Sequence, residues 1–353
     1  MKNAISNVLK FLAFFGVGAV ILYLVYQNQN EAYMAQCALD GVPEEACSLI
    51  NKVIADFRGL NYFWVFGVCA AFVFSNIMRA LRWNMLLKPL LGRNPRTVNT
   101  FLTTMLGYFA NLGLPRLGEV VKPVSLAGYE KISVEKVLGT IVVDRVMDVL
   151  CLLVVISIAF ALEFDTLWGY LSENMPESSG GLLGSPILLG LGLTGVLSIA
   201  LVFVFRRKLM QTKLFAKVVE LLKGFWDGIL SVKKLENPLL FVFYTLMIWV
   251  FYYVMFYMYL PAFGPTEHLG FTVALMVFVF GTFGIVIPSP GGMGSYHALV
   301  IAALALYGIT GSDAFSFANF SFFATHFVNI VLGLAAVIFL PMINRNYQPA
   351  AIE

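Results

Sequence analysis

Charged residues are scarce in this chain. Asp, Glu, Lys and Arg make up 12% of its 353 residues, about half of the usual share in soluble domains, ~25%. Residues of the set Ala, Val, Ile, Leu, Met, Phe, Trp, Tyr and Cys make up 59%. A soluble domain of this composition would expose apolar patches over its whole surface. The composition therefore excludes a cytosolic enzyme and a disordered chain, and it predicts an all-α, polytopic membrane protein.

Catalytic and metal-binding motifs are missing as well. The chain has no Gly-x4-Gly-Lys-Ser/Thr loop, no His-Glu-x-x-His and no Cys-x-x-Cys. His268, His297 and His326 are too scattered in sequence to indicate a metal site. The net charge of +3 is small, and the basic residues do not gather on one soluble face, so nucleic-acid binding has no support. We expect no metal, no cofactor and no nucleic-acid partner.

Four cysteines are too few for a disulfide framework. Cys37 and Cys47 lie together in a polar loop, whereas Cys69 and Cys151 lie in apolar runs. If the loop faces an oxidising compartment, Cys37 and Cys47 can form a bridge; the alternative is two free thiols.

Long apolar runs are abundant, and a helix needs about 20 such residues to cross a bilayer. We interpret residues 1–353 as one transmembrane domain whose first span is an anchor that is not cleaved. The predicted spans are Val8–Tyr26, Leu60–Met78, Val137–Leu162, Pro186–Phe205, Pro238–Leu260 and Ala314–Met342. Three shorter apolar stretches border Gly/Pro-rich breaks: Val98–Leu112, Phe271–Ile287 and Ala298–Tyr307.

The distribution of Lys and Arg predicts the orientation. Arg79–Arg96 has five basic residues and no acid, and Arg206–Lys234 has eight basic residues against two acids. Both segments should be cytoplasmic. Gln27–Gly59 and Glu163–Ser185 are rich in acids and should lie outside.

Parity then favours re-entrant hairpins. Between Arg96 and Glu163 one long span is available, so the stretch 98–136 must enter and leave on the cytoplasmic side or else cross twice, and its Gly and Pro interruptions favour a re-entrant hairpin. The same argument applies to 271–307. Residues 60–162 and 238–343 therefore form two inverted repeats, joined by the connecting span and basic segment 186–234, which is typical of transporters. The alternative is a helical membrane protein with kinked helices.

Ionisable residues inside apolar spans are costly and commonly mark a site. Asp148 follows Asp144 by four residues and Arg145 by three, which places it next to both on a helix face. Arg145 can pair with one carboxylate and leave the other for a partner or a proton. The alternative is a structural ion pair.

The first break carries Arg116, Glu119 and Lys122 at three-residue spacing. On a local helix they would line one side, with Arg116 and Lys122 as phosphate donors. The alternative is an interfacial turn whose charges reach cytoplasmic water.

The second break contains Gly291 and Gly292, which permit close backbone approach, and His297, which can change charge near neutral pH or simply pack. Arg79 and Arg82 end the second span; snorkelling is their default interpretation, and contact with a lipid headgroup is the sharper one.

Four stretches resemble a known family, the lysylphosphatidylglycerol synthase/flippase transmembrane domain family. They are Arg79–Trp83, Asn111–Lys122, Val143–Asp148 and Pro288–Gly294. The resemblance implies the membrane part of a multiple peptide resistance factor standing alone, which moves aminoacylated phospholipids between leaflets. Family members often carry a glutamate where this chain has His297.

The hypothesis from the sequence is a lipid flippase of the bacterial inner membrane with both termini cytoplasmic. Its partner would be a lipid with an anionic or zwitterionic headgroup in the bilayer; a homo-oligomer remains open. Substrate-binding candidates are Arg79, Arg82, Asn111, Arg116, Glu119, Lys122, Arg145, Gly291 and Gly292. Asp144, Asp148 and His297 would pair charges or relay protons. The alternatives are an enzyme that transfers a sugar or aminoacyl group on a lipid carrier, and an assembly factor without transport.

Overall fold

The computed structural model describes residues 2–39, 43, 47–113, 116–173, 230, 232–287 and 292–349. Of residues 2–18, 113 and 170–173 only the backbone is described. This part of the chain is helical with short loops and contains no strand, which confirms the prediction of an all-α protein. The predicted span Pro186–Phe205 and most of the basic segment Arg206–Lys234 lie outside the described residues.

The helices are numbered here in chain order. They are α1 Lys2–Leu39, α2 Leu49–Arg58, α3 Tyr62–Leu91, α4 Thr97–Gly113, α5 Gly118–Glu130, α6 Val134–Leu162, α7 Phe164–Glu173, α8 Pro238–Ala262, α9 Phe271–Val286, α10 Ser295–Ala305 and α11 Gly311–Asn344, with a 3-10 turn, Gly264–Thr266, after α8. Residues 1–159 and 235–353 form one compact unit and residues 160–234 another. The first unit contains every site residue discussed below.

Four of the described helices, α3, α6, α8 and α11, are long and apolar enough to cross a membrane. They confirm four of the predicted spans. The predicted anchor Val8–Tyr26 lies within α1. The three shorter apolar stretches correspond to α4, α9 and α10.

Helix α3 is longer than its sequence predicted. The expected span ended at Met78, whereas α3 continues to Leu91 and stops at Gly92, which has a φ of +65°. Only glycine adopts that conformation without strain, so Gly92 is the first effective stop. The expectation that Arg79 and Arg82 end the span was therefore wrong, because both lie inside the helix and are buried.

Helices α4 and α5 form a tight hairpin. Their 17 and 13 residues make them about 25 and 20 Å long, shorter than a hydrocarbon core of about 30 Å. Two glycines meet at the crossing: a Cβ on Gly118 would overlap the carbonyl oxygen of Gly107. The Asn111 side chain accepts a hydrogen bond from the Gly118 N–H at 2.7 Å, so it holds the start of α5.

Helices α9 and α10 pack on each other in the same manner. A Cβ on Gly284 would lie 2.5 Å from the Cα of Tyr296, so the two backbones nearly touch. The Ser295 hydroxyl donates to the Gly284 carbonyl oxygen at 2.6 Å. Both halves of the unit thus have the same order of elements: a long helix, two short helices in contact, and a long helix.

The long helices α3 and α8 pack antiparallel along much of their length. The Asn61 N–H donates to the Ala262 carbonyl oxygen at 2.9 Å, and the Ser75 hydroxyl donates to the Ile248 carbonyl oxygen at 3.1 Å. Helix α4 packs against α11, where the ring of Phe109 fills the space that a side chain on Gly333 would need. The first hairpin is therefore held between α3 and α11.

The segment between α1 and α3 is fastened at two points. Cys37 and Cys47 form a disulfide bond with their Cα atoms 6.2 Å apart, which confirms the bridge. Lys52 of α2 donates to Asp56 at 2.8 Å and to Asp313 of α11 at 2.9 Å. Burial lowers the pKa of Lys52, but the two carboxylates outweigh it and raise the pKa above its usual value.

Replacing Gly118 by alanine should break the first hairpin. The added methyl group meets a backbone oxygen that cannot move aside, and we expect the free energy of unfolding to fall by about 2–3 kcal/mol. Gly128→Ala on the same helix is the matched control, because nothing lies within 4 Å of its added methyl group. Thermal unfolding in detergent, followed by size exclusion, measures both. Equal stability of the two variants would contradict the close crossing.

Candidate functional site

Four charged side chains form a closed cluster between α3 and α6. The Arg79 Nη1 atom lies 2.6 Å from Asp148 Oδ2 and 3.3 Å from Asp144 Oδ2. The Arg82 Nη2 atom lies 2.5 Å from Asp144 Oδ1 and 2.7 Å from Asp148 Oδ1. Each arginine therefore contacts both carboxylates. We call these four residues the ion quartet.

Helical spacing explains the quartet. Residues three or four apart share one face of a helix, so the two arginines of α3 and the two aspartates of α6 form facing pairs. Arg79 is 5% exposed, Arg82 0% and Asp144 1%. Charges at this depth are tolerated when they are paired and hydrogen-bonded, and the formal charge of the quartet is zero. Removing one member would leave its partners buried and uncompensated.

Two expectations about these residues were wrong. Arg145 pairs with neither aspartate; its side chain is exposed, because each residue turns the helix by about 100° and places it beside the face that Asp144 and Asp148 share. Arg79 and Arg82 do not snorkel to water, since both are buried against α6. The expected lone carboxylate is consequently absent, because each aspartate contacts two arginines.

Lys122 of α5 reaches the same region. The residue is 8% exposed, and its ammonium nitrogen lies 4.0 Å from the centroid of the Trp83 ring, a cation–π contact. The Trp83 indole N–H donates to the Thr140 hydroxyl at 2.8 Å, which fixes the ring between α3 and α6. Within the described residues, Lys122 forms no ion pair with a carboxylate.

The local charge is therefore positive. Arg79, Arg82 and Lys122 carry three positive charges, and Asp144 and Asp148 carry two negative ones. One further donor has no partner among the described residues: the buried Nε of Arg79. The arrangement offers a surplus of one cation and an unsatisfied N–H group, which suits an anion such as a phosphate. We call the quartet with Lys122 and Trp83 the candidate site.

The other charged residues of the first hairpin lie apart from this site. Arg116 is exposed in the turn before α5 with a φ of +65°, and Glu119 is exposed in the first turn of α5. Lys122, in contrast, is buried, so the three residues do not line one common surface. Asn111, also a predicted site residue, is engaged by the Gly118 N–H.

The residues predicted in the second hairpin have structural contacts of their own. Gly291 lies outside the described residues. Gly292 is buried with a φ of +83°. His297 is 1% exposed, and its Nδ1 accepts from the Gly294 N–H at 3.3 Å, so it stabilises the start of α10. Its ring centroid lies 4.7 Å from that of Phe322.

Sequence reasoning missed Trp83, Thr140 and a buried carboxylate, Glu130. Glu130 is 0% exposed and accepts four hydrogen bonds, from the Arg93 side chain at 2.7 Å, the Asn99 amide at 2.8 Å, the Tyr347 hydroxyl at 3.1 Å and the Arg96 N–H at 3.2 Å. An aromatic residue in an apolar helix and a single glutamate at a helix end give no local signal, since their partners are distant in sequence.

Comparison with known proteins gave one family. The family model described as "Lysylphosphatidylglycerol synthase TM region" matches residues 48–333. No curated protein and no solved structure matched the chain. The matched residues include the quartet, both hairpins and Lys122.

Breaking the quartet should destabilise the fold. Asp144→Asn leaves Arg82 buried with weakened partners, and we expect the free energy of unfolding to fall by about 3–5 kcal/mol. The neighbouring substitution Arg145→Ala is the control, because an exposed arginine that forms no ion pair with a described residue should change it by no more than about 0.5 kcal/mol. Thermal unfolding in detergent compares the two. If Asp144→Asn lowered the free energy of unfolding no more than Arg145→Ala does, the quartet would not hold the helices together.

Proposed function

The chain belongs to the lysylphosphatidylglycerol synthase TM region family, and on this premise we propose that it moves a phosphate-containing lipid between the leaflets of a bacterial inner membrane. One observation carries the proposal: the buried ammonium of Lys122 has no carboxylate partner among the described residues, beside a quartet whose own charges cancel. A protein that only needed stable helix packing would not benefit from an extra buried cation, because an uncompensated charge costs free energy.

A lipid phosphate diester supplies the missing negative charge. It can accept hydrogen bonds from Lys122 and from the unpartnered Nε of Arg79, and charge-assisted bonds of this kind are the strong ones. In this proposal Asp144 and Asp148 hold the two arginines in position, and Trp83 positions Lys122. Arg82 completes the quartet rather than contacting the lipid.

The remaining predicted residues would act along the path of the headgroup. Arg116, Glu119 and Arg145 are exposed and can attract or orient the headgroup before it reaches Lys122. Gly292 would form part of the corresponding turn of the second hairpin, with His297 stabilising the helix behind it. These roles follow from position and chemistry.

The two hairpins supply the moving parts of the proposal. We interpret both as re-entrant and the two halves as inverted repeats, with the hairpins opening in turn on opposite sides. Three features support this: each hairpin pairs two short helices, each crosses at a glycine contact, and the order of elements is the same in both halves. Paired interrupted segments of this kind commonly line a transporter's site.

The orientation we propose places residues 27–59 outside and both termini in the cytoplasm. The Cys37–Cys47 disulfide supports it, because such bonds persist in oxidising compartments. The excess of Lys and Arg in 206–234 supports it by the positive-inside tendency.

Lys122→Met should lower lipid movement without unfolding the protein. Methionine keeps the length and the contact with Trp83 but removes the charge that binds the phosphate, so we expect the initial rate to fall at least about tenfold, the equivalent of 1.4 kcal/mol. The assay uses fluorescent phosphatidylglycerol in reconstituted phosphatidylethanolamine/phosphatidylglycerol vesicles.

Lys136→Met on α6 is the matched control, because it removes the same charge at an exposed position. Full activity of Lys122→Met would exclude Lys122 from the path. Mass spectrometry of lipids from cells that express the protein, where donors of the transferred group are present, covers the enzymatic alternative: a new lipid product that requires the wild-type protein would indicate group transfer instead.

Cysteine labelling tests the orientation. In a background with Cys69 and Cys151 replaced by alanine, we expect an impermeant maleimide added to intact cells to label Ala35→Cys and to leave Glu220→Cys unlabelled. The reverse pattern would invert the topology and with it the sides on which the hairpins open.

A further inference from the structure

The quartet and Lys122 differ in how firmly each charge is compensated. Every carboxylate oxygen of Asp144 and Asp148 lies within 3.3 Å of an arginine nitrogen. The ammonium of Lys122 has an aromatic ring in place of a carboxylate. We propose that Lys122, rather than either aspartate, takes up a proton when the lipid phosphate binds and releases it when the phosphate leaves. The inference rests on the proposed function, because it gives that same site its coupling ion.

The charged and titratable groups around Lys122 make this assignment specific. Helix α3 presents Arg79 and Arg82, and α6 presents Asp144, Arg145 and Asp148. Helix α4 contributes Tyr108, which lies within electrostatic range of Arg79, and Glu119 on α5 itself is exposed. The arginines repel the ammonium while the aspartates attract it, and the aspartates are already engaged by the arginines.

Occupancy of the site changes which form of Lys122 is favoured. Burial disfavours the charged form of a lysine, and a nearby opposite charge favours it. On the alkaline side of its midpoint, the ammonium in the empty site therefore gives its proton to water and becomes a neutral amine, whereas below the midpoint it keeps its charge. A bound phosphate restores the compensating charge, so the amine takes one proton from water. Each lipid phosphate that binds carries up to one proton with it, and no other reactant is needed.

Trp83 can contact both the neutral and the charged form of Lys122 in the same position. The face of an indole attracts a cation and also packs against an uncharged alkyl amine, so Lys122 need not leave its position on losing the proton. The hydrogen bond from the indole N–H to Thr140 keeps the ring fixed in both states. The aspartates have no comparable freedom, because protonating either one would remove ion pairs from the quartet.

A pH series separates Lys122 from the aspartates. Because only the ammonium binds phosphate in this scheme, the transport rate of wild type should fall about tenfold per pH unit once the alkaline midpoint is passed. Lys122→Arg keeps its charge at all accessible pH values, so its rate should stay level across the same range. Lys136→Arg is the matched control and should reproduce the wild-type profile. The same fluorescent phosphatidylglycerol vesicles serve for all three.

Proton uptake gives a measurement that does not depend on movement. Calorimetric titration of the detergent-solubilised protein with dihexanoyl phosphatidylglycerol, in buffers of different ionisation enthalpy, counts the protons bound. On the alkaline side of the midpoint we expect about one proton per lipid for wild type and none for Lys122→Arg. If Lys122→Arg does not bind the lipid, the number of protons taken up per lipid by the wild-type protein alone decides whether the inference holds.

Two results would overturn the inference: an unchanged alkaline fall in Lys122→Arg, or a wild-type proton count near zero at every pH. Failure of the proposed function is different and recognisable. In that case wild type would move no lipid at any pH, whatever the proton count.

Discussion

Asp144 and Asp148 can lie between two membrane helices only because Arg79 and Arg82 approach them from the facing helix. An unpaired carboxylate at this depth would be too costly to keep. The pairing fixes α3 against α6, and it also reaches α8, because Arg82 lies within hydrogen-bond distance of Thr245 and Arg79 lies over the ring of Tyr252. The three long helices α3, α6 and α8 therefore meet at the quartet, and the first hairpin packs beside it.

Both aspartates of the quartet are already paired with arginines, and this is why the charge of the neighbouring Lys122 matters. If either aspartate were free, Lys122 would be one more member of a structural ion network. Since both are occupied, its charge is the surplus of the region. The glycine contact between α4 and α5 contributes directly, because a Cβ on Gly107 would lie 3.0 Å from the Cβ of Lys122. The absence of that side chain lets Lys122 lie against its neighbour helix and reach Trp83.

Local pattern predicted much of the fold and less of the site. Four spans and the three short helices followed from hydropathy and chain breaks, which are local properties, and cysteine position left the Cys37–Cys47 bridge as one of two alternatives. The partner of a charge is not local. Arg145 was expected to pair with one of the two carboxylates because all three residues share one helix, whereas Arg79, which contacts Asp148, is 69 residues away from it in sequence. Arg79 was also expected to end a span, because a hydropathy scale treats every arginine as polar, even where a carboxylate distant in sequence pairs with it.

The four hydrogen bonds of Glu130 have a consequence for biosynthesis. One donor, Tyr347, follows Glu130 by 217 residues, and Asn99, another donor, exchanges hydrogen bonds with Asn344 at 3.0 and 2.7 Å. The first hairpin thus acquires its last polar partners only after the ribosome has translated Tyr347, which follows the end of α11. In a nascent chain arrested before Tyr347, the Glu130 carboxylate would lack one of its hydrogen-bond donors. Truncation before Tyr347 would therefore destabilise the first hairpin, about two hundred residues upstream.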